Sequence, residues 1–319
     1  MSFTDWPWRH WRAQFADKPA LRLNDEVLSW QQLCARVDRL AAEFHLQGVE
    51  EGNGVLLLAH NYPQTLLAWL ALLQCGARIL PVNPQLPRPL LDVLLPQMTL
   101  RFALVLDGTF DGLPGLSMRE HAGEYCVAWQ PARLASMTLT SGSTGLPKAA
   151  VHTCDAHLAS ARGVLALMPY GEDDDWLLSL PLFHVSGQGI LWRWLQAGAR
   201  LTVREKQPLA QALRGCTHAS LVPTQLWRLL NTHQPVALKA VLLGGPPSLL
   251  IDAAGARAGD SHLLRLRPDR VCLYRLRESG GRRAGRRLCA AGQERCRWLT
   301  VKSGSGQRVW PQATGGTAN

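Results

Sequence analysis

The chain has 319 residues, of which 47% are hydrophobic and 18% are charged, so it has room for one large or two medium domains and is too apolar for a disordered protein. Its net charge of +10 is unevenly placed, because residues 246–319 carry 14 Lys and Arg against 5 Asp and Glu, and the first 245 residues carry 20 against 19. A near-neutral body argues against nucleic-acid binding there, and the basic last quarter needs its own explanation.

The N-terminus and the cysteines lead us to expect a cytoplasmic protein. Residues 1–6 lack the basic start and apolar run of a signal peptide. The most apolar stretch, residues 65–82, contains Gln74, Gly76 and Arg78, which favours a buried helix followed by a strand over a membrane span. The eight cysteines have neither paired nor zinc-type spacing, so we expect reduced thiols.

Helical and strand patterns alternate through the first 245 residues. Apolar residues at helical spacing predict helices over residues 30–47, 63–75, 187–196 and 224–231. Short apolar runs predict strands over residues 54–59, 78–82, 176–180, 200–203, 219–222 and 239–243. This alternation predicts an α/β fold of mainly parallel sheets covered by helices. Both patterns stop after Gly245, and the composition of residues 246–319 predicts a disordered or poorly packed basic tail.

The strongest chemical signal is at residues 137–148, where an apolar strand runs into a loop of glycines and small hydroxyl residues that ends in Lys148. Such a loop suits a polyphosphate, because glycines admit backbone N–H groups, hydroxyls donate hydrogen bonds and the lysine supplies positive charge. The spacing is not that of a Walker A loop. A flexible linker is the alternative, but linkers seldom lie between an apolar strand and a Pro-Lys-Ala-Ala-Val string.

This loop closely resembles the phosphate-binding signature of the adenylate-forming superfamily, which includes acyl-CoA synthetases, luciferases and the adenylation domains of peptide synthetases. Residues 179–187 resemble the family's segment beside the acyl pocket, residues 221–224 its next core strand and turn, and residues 242–245 the strand end where adenosine lies. The resemblance covers residues 1–245 and implies an incomplete N-terminal, AMP-binding domain.

A group within this superfamily, the o-succinylbenzoate–CoA ligases of menaquinone biosynthesis, resembles the chain in particular at residues 5–11, 80–87 and 224–230. That resemblance implies three small-molecule substrates, ATP, o-succinylbenzoate and CoA, with Mg²⁺ as cofactor. The carboxylate attacks the α-phosphorus of ATP, and the CoA thiol then displaces AMP. It also implies that the pyrophosphate end is bound by Thr140, Ser141, Gly142, Ser143, Thr144, Gly145 and Lys148, with Lys148 and Thr144 acting in catalysis.

His184 is the candidate acyl-pocket or gate residue, because Phe183 and His184 precede a glycine-containing turn at a strand end, where ligands bind in such sheets. Further substrate candidates are Ser186, Gly187 and Gln188, and the candidates beside adenosine are Gly244 and Gly245.

Other chemically suggestive residues have simpler interpretations. Trp192 and Trp194 occupy helical positions suited to core packing, and the acidic residues 173–175 suit a solvated turn better than a metal site. No metal-ligating residue is therefore assigned. Structural roles are expected for His152, His157 and His218.

The family's Tyr-Gly-Leu/Met-Thr-Glu segment, whose ring covers the adenine and whose Glu helps to hold Mg²⁺, is missing in frame after Gly245. One choice of synonymous codons for residues 265–277, read from the second nucleotide, would encode Gly-Tyr-Gly-Leu-Thr-Glu-Phe-Ala-Ser-Thr-Val-Cys. Residues 298–319, read from the third, permit the family's Gly-Glu-x-Trp and Gly-Tyr-Trp elements. We therefore expect a frameshift after Gly245, a second frame change between about residues 278 and 297, and a truncated, inactive chain without the C-terminal domain and its adenylation lysine.

Two alternatives stay open at this point. Another aryl or fatty acid–CoA ligase would share the loop and differ in the acid that it takes. A nucleic-acid-binding protein would use the basic tail to neutralise phosphates, and it would show a salt-dependent interaction of residues 246–319 with nucleic acid.

Overall fold

The computed structural model describes residues 2–119, 121–140, 148–231, 237–244, 272–279, 282–289 and 298–301. Its helices are α1 (Pro7–Phe15), α2 (Trp30–Leu46), α3 (Pro63–Gln74), α4 (Arg88–Leu94), α5 (Cys154–Leu165), α6 (Val185–Ala197), α7 (Leu209–Ala212) and α8 (Pro223–Leu230). Its strands are β1 (Pro19–Leu23), β2 (Glu26–Ser29), β3 (Gly54–Leu58), β4 (Arg78–Val82), β5 (Phe102–Val105), β6 (Leu134–Thr140), β7 (Lys148–Thr153), β8 (Asp175–Leu177), β9 (Arg200–Val203), β10 (His218–Leu221), β11 (Ala240–Leu243), β12 (Cys272–Ser279), β13 (Arg282–Cys289) and β14 (Trp298–Val301).

These strands form two sheets. The larger sheet has the order β14-β13-β12-β11-β10-β8-β9-β1-β2, with parallel pairing from β12 to β1 and antiparallel strands at both ends. The smaller sheet has the order β5-β3-β4-β6-β7, in which only β7 is antiparallel. The predicted α/β class with mainly parallel, helix-covered sheets is confirmed.

Helix α3 shows why the most apolar stretch of the sequence is not a membrane span. All twelve of its residues except Gln64 are buried, and the helix packs against α2 and leads into β4. A helix that is apolar on every side belongs in a core of this kind. Within the described ranges, none of the helices combines the length and apolarity that a bilayer crossing requires.

Tryptophans fill much of the core between the helices and the sheets. Trp30 at the start of α2 stacks on Trp194 of α6, with ring centroids 5.4 Å apart, and the Trp194 Nε1 donates to Ala20 O of β1 (3.0 Å). The core roles predicted for Trp192 and Trp194 are confirmed, since both side chains are fully buried. The other fully buried tryptophans are Trp6, Trp8, Trp30, Trp69 and Trp176.

The prediction for residues 246–319 falls mostly outside the described residues. Three strands of this range are described, and β12 pairs in parallel with β11 at the edge of the larger sheet. The poorly packed tail and the proposed frame changes therefore stay predictions.

Candidate functional site

The two sheets are joined at the carboxyl ends of their parallel strands. Asn61, just beyond β3, donates from Nδ2 to the carbonyl oxygens of Leu180 (2.8 Å) and Leu178 (3.3 Å), and its Oδ1 accepts from the Leu182 N–H (3.0 Å). Leu178, Leu180 and Leu182 lie in the segment that follows β8 of the larger sheet. Ligands of open α/β sheets bind at this edge, so this junction is the candidate site.

The predicted phosphate loop lies at the tip of a hairpin. Strands β6 and β7 pair antiparallel, with Thr140 opposite Lys148, and the Thr140 hydroxyl donates to the Lys148 carbonyl oxygen (3.1 Å). Both residues are exposed, so the ends of the loop are close together and open to solvent. The remaining loop candidates lie outside the described residues: Ser141, Gly142, Ser143, Thr144 and Gly145.

His184 lies at the N-cap position of α6, on the turn between β8 and that helix. Its backbone N–H donates to Pro181 O (3.1 Å), and its carbonyl oxygen accepts from the backbone N–H groups of Gly187 (3.0 Å) and Gln188 (3.2 Å). The ring packs edge-on against Phe183, with centroids 5.0 Å apart. The side chain is exposed, and within the described part of the chain its imidazole has no hydrogen-bond partner. It is therefore free to contact a ligand.

Gln188, a substrate candidate from the sequence, is instead fully engaged inside the protein. Its Nε2 donates to Thr138 Oγ1 (3.2 Å) and to Leu182 O (3.1 Å), and its Oε1 accepts from Ser136 Oγ (2.8 Å). Because the Ser136 proton goes to Gln188, the Nε2 of His157 must donate its own proton to Ser136 Oγ (2.8 Å). Burial holds the pKa of His157 well below its usual value, so this neutral tautomer is stable.

The glycine in the first turn of α6 is required by close packing. A Cβ on Gly187 would lie 2.1 Å from the Pro181 carbonyl oxygen and 2.6 Å from that of Leu180. The helix therefore begins directly against the backbone of the preceding turn. Ser186, its neighbour, is half-buried.

The candidate adenosine end is an open strand terminus. Gly244 follows β11, and its N–H donates to Leu221 O at the end of β10 (3.0 Å). A Cβ placed on Gly244 would meet no atom within 4 Å among the described residues. Gly245 lies outside the described residues.

Arg193 of α6 is a candidate that the sequence analysis missed. Its side chain is buried and lies over the Trp176 ring, 4.7 Å from the centroid, with Nη2 3.3 Å from Ser220 Oγ. Burial lowers the pKa of Arg193 to about 9. Among the described residues no carboxylate pairs with it, and its Nε has no hydrogen-bond partner.

The guanidinium of Arg193 reaches back toward the start of α6. A Cβ on Gly189 would lie 3.1 Å from the Arg193 Nη1, as expected for a helix side chain that leans toward the helix N-terminus. A buried cation without a carboxylate partner is costly unless an anion binds there. One arginine inside an otherwise apolar helical run was the signal available in the sequence.

The three histidines that were expected to be structural lie in packed surroundings. Burial lowers the pKa of His152 and of His218. His218 Nε2 lies 2.8 Å from Pro169 O, and the ring of His157 stacks on that of Trp192 with centroids 5.0 Å apart.

The interpretation of residues 173–175 as a solvated turn is wrong for Asp175. This residue opens β8 and is fully buried, where its carboxylate accepts from Arg200 Nε (2.7 Å) and Thr202 Oγ1 (2.6 Å) and lies 3.6 Å from Arg22 Nη1. It joins β8 to β9 and β1 of the larger sheet. Asp174 pairs with Lys239 Nζ (2.7 Å), so both carboxylates have structural partners.

Curated relatives match most of this chain. A 2-succinylbenzoate–CoA ligase of Salmonella typhimurium is 72% identical over 247 residues, covering 77% of this chain and 54% of the relative. The corresponding ligase of Escherichia coli is 71% identical over 247 residues, covering 77% and 55%. The chain thus spans about half the length of the curated relatives it matches.

Solved structures agree with the fold. Wild-type E. coli MenE with a bound m-phenylether-linked analogue of OSB-AMS superposes with a TM-score of 0.78 at 62% identity, covering 86% of this chain and 60% of that one. A family profile described as "AMP-binding enzyme" matches residues 8–275. The chain therefore belongs to the AMP-binding enzyme family.

Proposed function

We propose that this chain supplies the ATP- and acid-binding part of a ligase that joins o-succinylbenzoate to CoA. The supporting observation is Arg193, a buried guanidinium without a carboxylate partner among the described residues. o-Succinylbenzoate carries two carboxylates on an aromatic frame. One of them reacts with ATP, and the other needs a cation if it is to be buried. A guanidinium beside the Trp176 ring suits the second carboxylate and its aromatic neighbour.

The proposed chemistry has two steps. A carboxylate oxygen attacks the α-phosphorus of ATP as the bond to pyrophosphate breaks, which leaves an acyl-adenylate. The CoA sulfur then forms a bond to the acyl carbon, and AMP leaves with the former carboxylate oxygen. In the first step the residues act by positioning and charge: Lys148 would neutralise the departing pyrophosphate and Thr144 would donate a hydrogen bond to it. Thr140, whose hydroxyl donates to the Lys148 carbonyl oxygen, would hold the ends of the loop together at the pyrophosphate end.

His184, at the exposed start of α6, would close the acyl side of the site, where its imidazole can contact the acid or the adenylate. The adenosine would lie on the open strand end at Gly244 and Gly245. Mg²⁺ is held in such sites mainly by substrate phosphates with one or two carboxylates, and no group of three His, Cys, Asp or Glu side chains among the described residues forms a dedicated ion site. We therefore assign no step to Mg²⁺.

The cytoplasm is the proposed location. The five cysteines with described side chains, Cys34, Cys75, Cys126, Cys154 and Cys216, are free thiols, and thiols of this kind persist in a reducing compartment.

Turnover needs groups that the last quarter of the chain does not supply in frame, so we expect the chain as written to bind ligands without making the CoA ester at a useful rate. The test compares this chain with a version in which both frames are restored, each assayed with ATP, CoA and o-succinylbenzoate. The restored enzyme should be active and should lose activity on Lys148→Ala or Thr144→Ala substitution. Comparable turnover by the unrestored chain would contradict the proposal.

The acid is identified by a panel on the restored enzyme, in which pyrophosphate exchange is measured with o-succinylbenzoate and with two analogues that each lack one carboxylate. Arg193→Met should abolish the preference for the dicarboxylate, because the second carboxylate then loses its charged partner. A preference that survives Arg193→Met, or faster exchange with long-chain fatty acids, would assign the chain to another acid–CoA ligase.

A further inference from the structure

The turn that presents His184 is held by hydrogen bonds from outside its own strand and helix. Leu182, in the middle of this turn, donates its N–H to Asn61 Oδ1 (3.0 Å) and accepts at its carbonyl oxygen from Gln188 Nε2 (3.1 Å). Both backbone polar groups of Leu182 are therefore bonded to side-chain amides. Such fixed backbone groups hold the following residues in one geometry.

The two amides connect the turn to different parts of the molecule. Asn61 lies just beyond β3 of the smaller sheet, and it also binds the carbonyl oxygens of Leu178 and Leu180. Gln188 belongs to α6 and is bonded to Ser136 and Thr138 of β6, the strand that runs into the phosphate loop.

We propose that Asn61 is a positioning residue, which fixes the turn at residues 178–184 and thereby aims Phe183 and His184 at the acyl side of the site. The inference rests on the proposed function for the role of His184. Asn61 itself touches no reacting group in this assignment. It acts through three backbone contacts to the turn, and Gln188 fixes the same turn relative to the strand of the phosphate loop.

The geometry also explains why an asparagine is needed at this position. The amide donates from Nδ2 to two carbonyl oxygens while its Oδ1 accepts from one N–H. Alanine offers neither function, and aspartate offers only the acceptor. Asn61→Asp should therefore keep the bond from the Leu182 N–H and lose the bonds to Leu178 and Leu180.

The test uses the full 319-residue chain and measures amide hydrogen exchange over residues 178–184. Asn61→Ala should speed exchange of the Leu182 amide by about tenfold, the size expected for the loss of one net hydrogen bond and the opening of its turn. Asn61→Asp should retain most of this protection. Asn83→Ala is the matched control, since the Asn83 Oδ1 also accepts a backbone N–H beyond a strand, that of Gln85 (3.0 Å), without reaching this turn.

Ligand binding gives the functional readout. Asn61→Ala should weaken binding of the acyl-adenylate analogue OSB-AMS by about tenfold while ATP binding stays unchanged, because ATP does not need the acyl side. Equal losses for both probes would indicate a merely structural role and overturn the proposal, as would unchanged Leu182 exchange in Asn61→Ala. If the unsubstituted chain binds neither probe, the proposed function fails, and the exchange data alone decide whether Asn61 fixes the turn.

Discussion

Replacing Arg193 by Met should make the protein more stable, although it removes a polar contact. The burial that lowers the pKa of Arg193 to about 9 corresponds to about 5 kcal/mol against the charged form, at about 1.4 kcal/mol for each unit below the pKa of an exposed arginine. The contacts with Ser220 and the Trp176 ring offset about 2–3 kcal/mol of this. We expect Arg193→Met to raise the free energy of unfolding at pH 7 by about 2 kcal/mol, since methionine fills a similar volume without a charge.

The stability gained by Arg193→Met should decrease as the pH rises. At pH 7 the guanidinium is protonated in both the folded and the unfolded chain, so the folded state bears the full burial cost. Above about pH 9 the folded chain releases this proton, while the unfolded chain keeps it to far higher pH. The unfolded state then binds more protons, and the stability contributed by this group rises with pH. The advantage of Arg193→Met should therefore narrow between pH 8 and pH 10.

The measurement is urea-induced unfolding followed by circular dichroism at pH 7, 8, 9 and 10. Arg193→Lys is the matched control, because it keeps a buried cation and should gain less at pH 7 than the methionine variant. A loss of more than about 1 kcal/mol in Arg193→Met at pH 7 would refute the reasoning. It would mean that the guanidinium has a stabilising partner in the protein, and the case for a bound second carboxylate would fall with it.

Three further outcomes are expected. Gly187→Ala should lower the free energy of unfolding by at least about 2 kcal/mol, because its Cβ would lie 2.1 Å from the Pro181 carbonyl oxygen. Gly171→Ala is the control: its Cβ would have open space, so its free energy of unfolding in the same urea titration should change little. Asp175→Ala should cost about 3 kcal/mol by leaving arginines without their buried partner, and an unfolding midpoint equal to wild type would disprove this. Trypsin should remove residues 246–319 before it cuts the body, and a tail as resistant as the body would contradict the out-of-frame interpretation.

Strands and helices with a clear local pattern could be predicted from the sequence. The apolar runs at residues 78–82 and 200–203 match β4 and β9 at both ends, and the helical spacing over residues 30–47 matches α2 to within one residue. Ser29 explains the sharp start of α2, since its hydroxyl accepts from the Gln32 N–H (3.3 Å) while the Gln32 side chain accepts from the Ser29 N–H (2.9 Å). Local periodicity and capping suffice for elements of this kind.

Features that depend on distant residues could not be predicted in the same way. Strand β7 follows the predicted phosphate loop and forms by pairing with β6. Its short sequence has no hydrophobic alternation that would indicate a strand. Asp175 appears solvated beside its acidic neighbours, but arginines from β1 and β9 make its burial favourable. Gln188 was a substrate candidate in the segment that follows His184, and contacts with two residues of β6 and one of the preceding turn satisfy its amide inside the protein.

The candidate site has an acyl side and a nucleotide side, and the residues upstream of Gly245 supply more of the contacts on the acyl side. The contacts that shape the acyl side, from Asn61 to the turn at residues 178–184, from Gln188 to β6 and from Arg193 to β10, all join residues upstream of Gly245. By resemblance, covering of the adenine depends on a segment that residues 246–319 do not supply in frame. The acid would then meet most of its contacts, and the nucleotide would be held mainly through its phosphates. Such a chain should discriminate between acids more sharply than between nucleobases. An intact enzyme adapted to another acid should not show this difference, so the two binding selectivities distinguish it from a frame-shifted ligase.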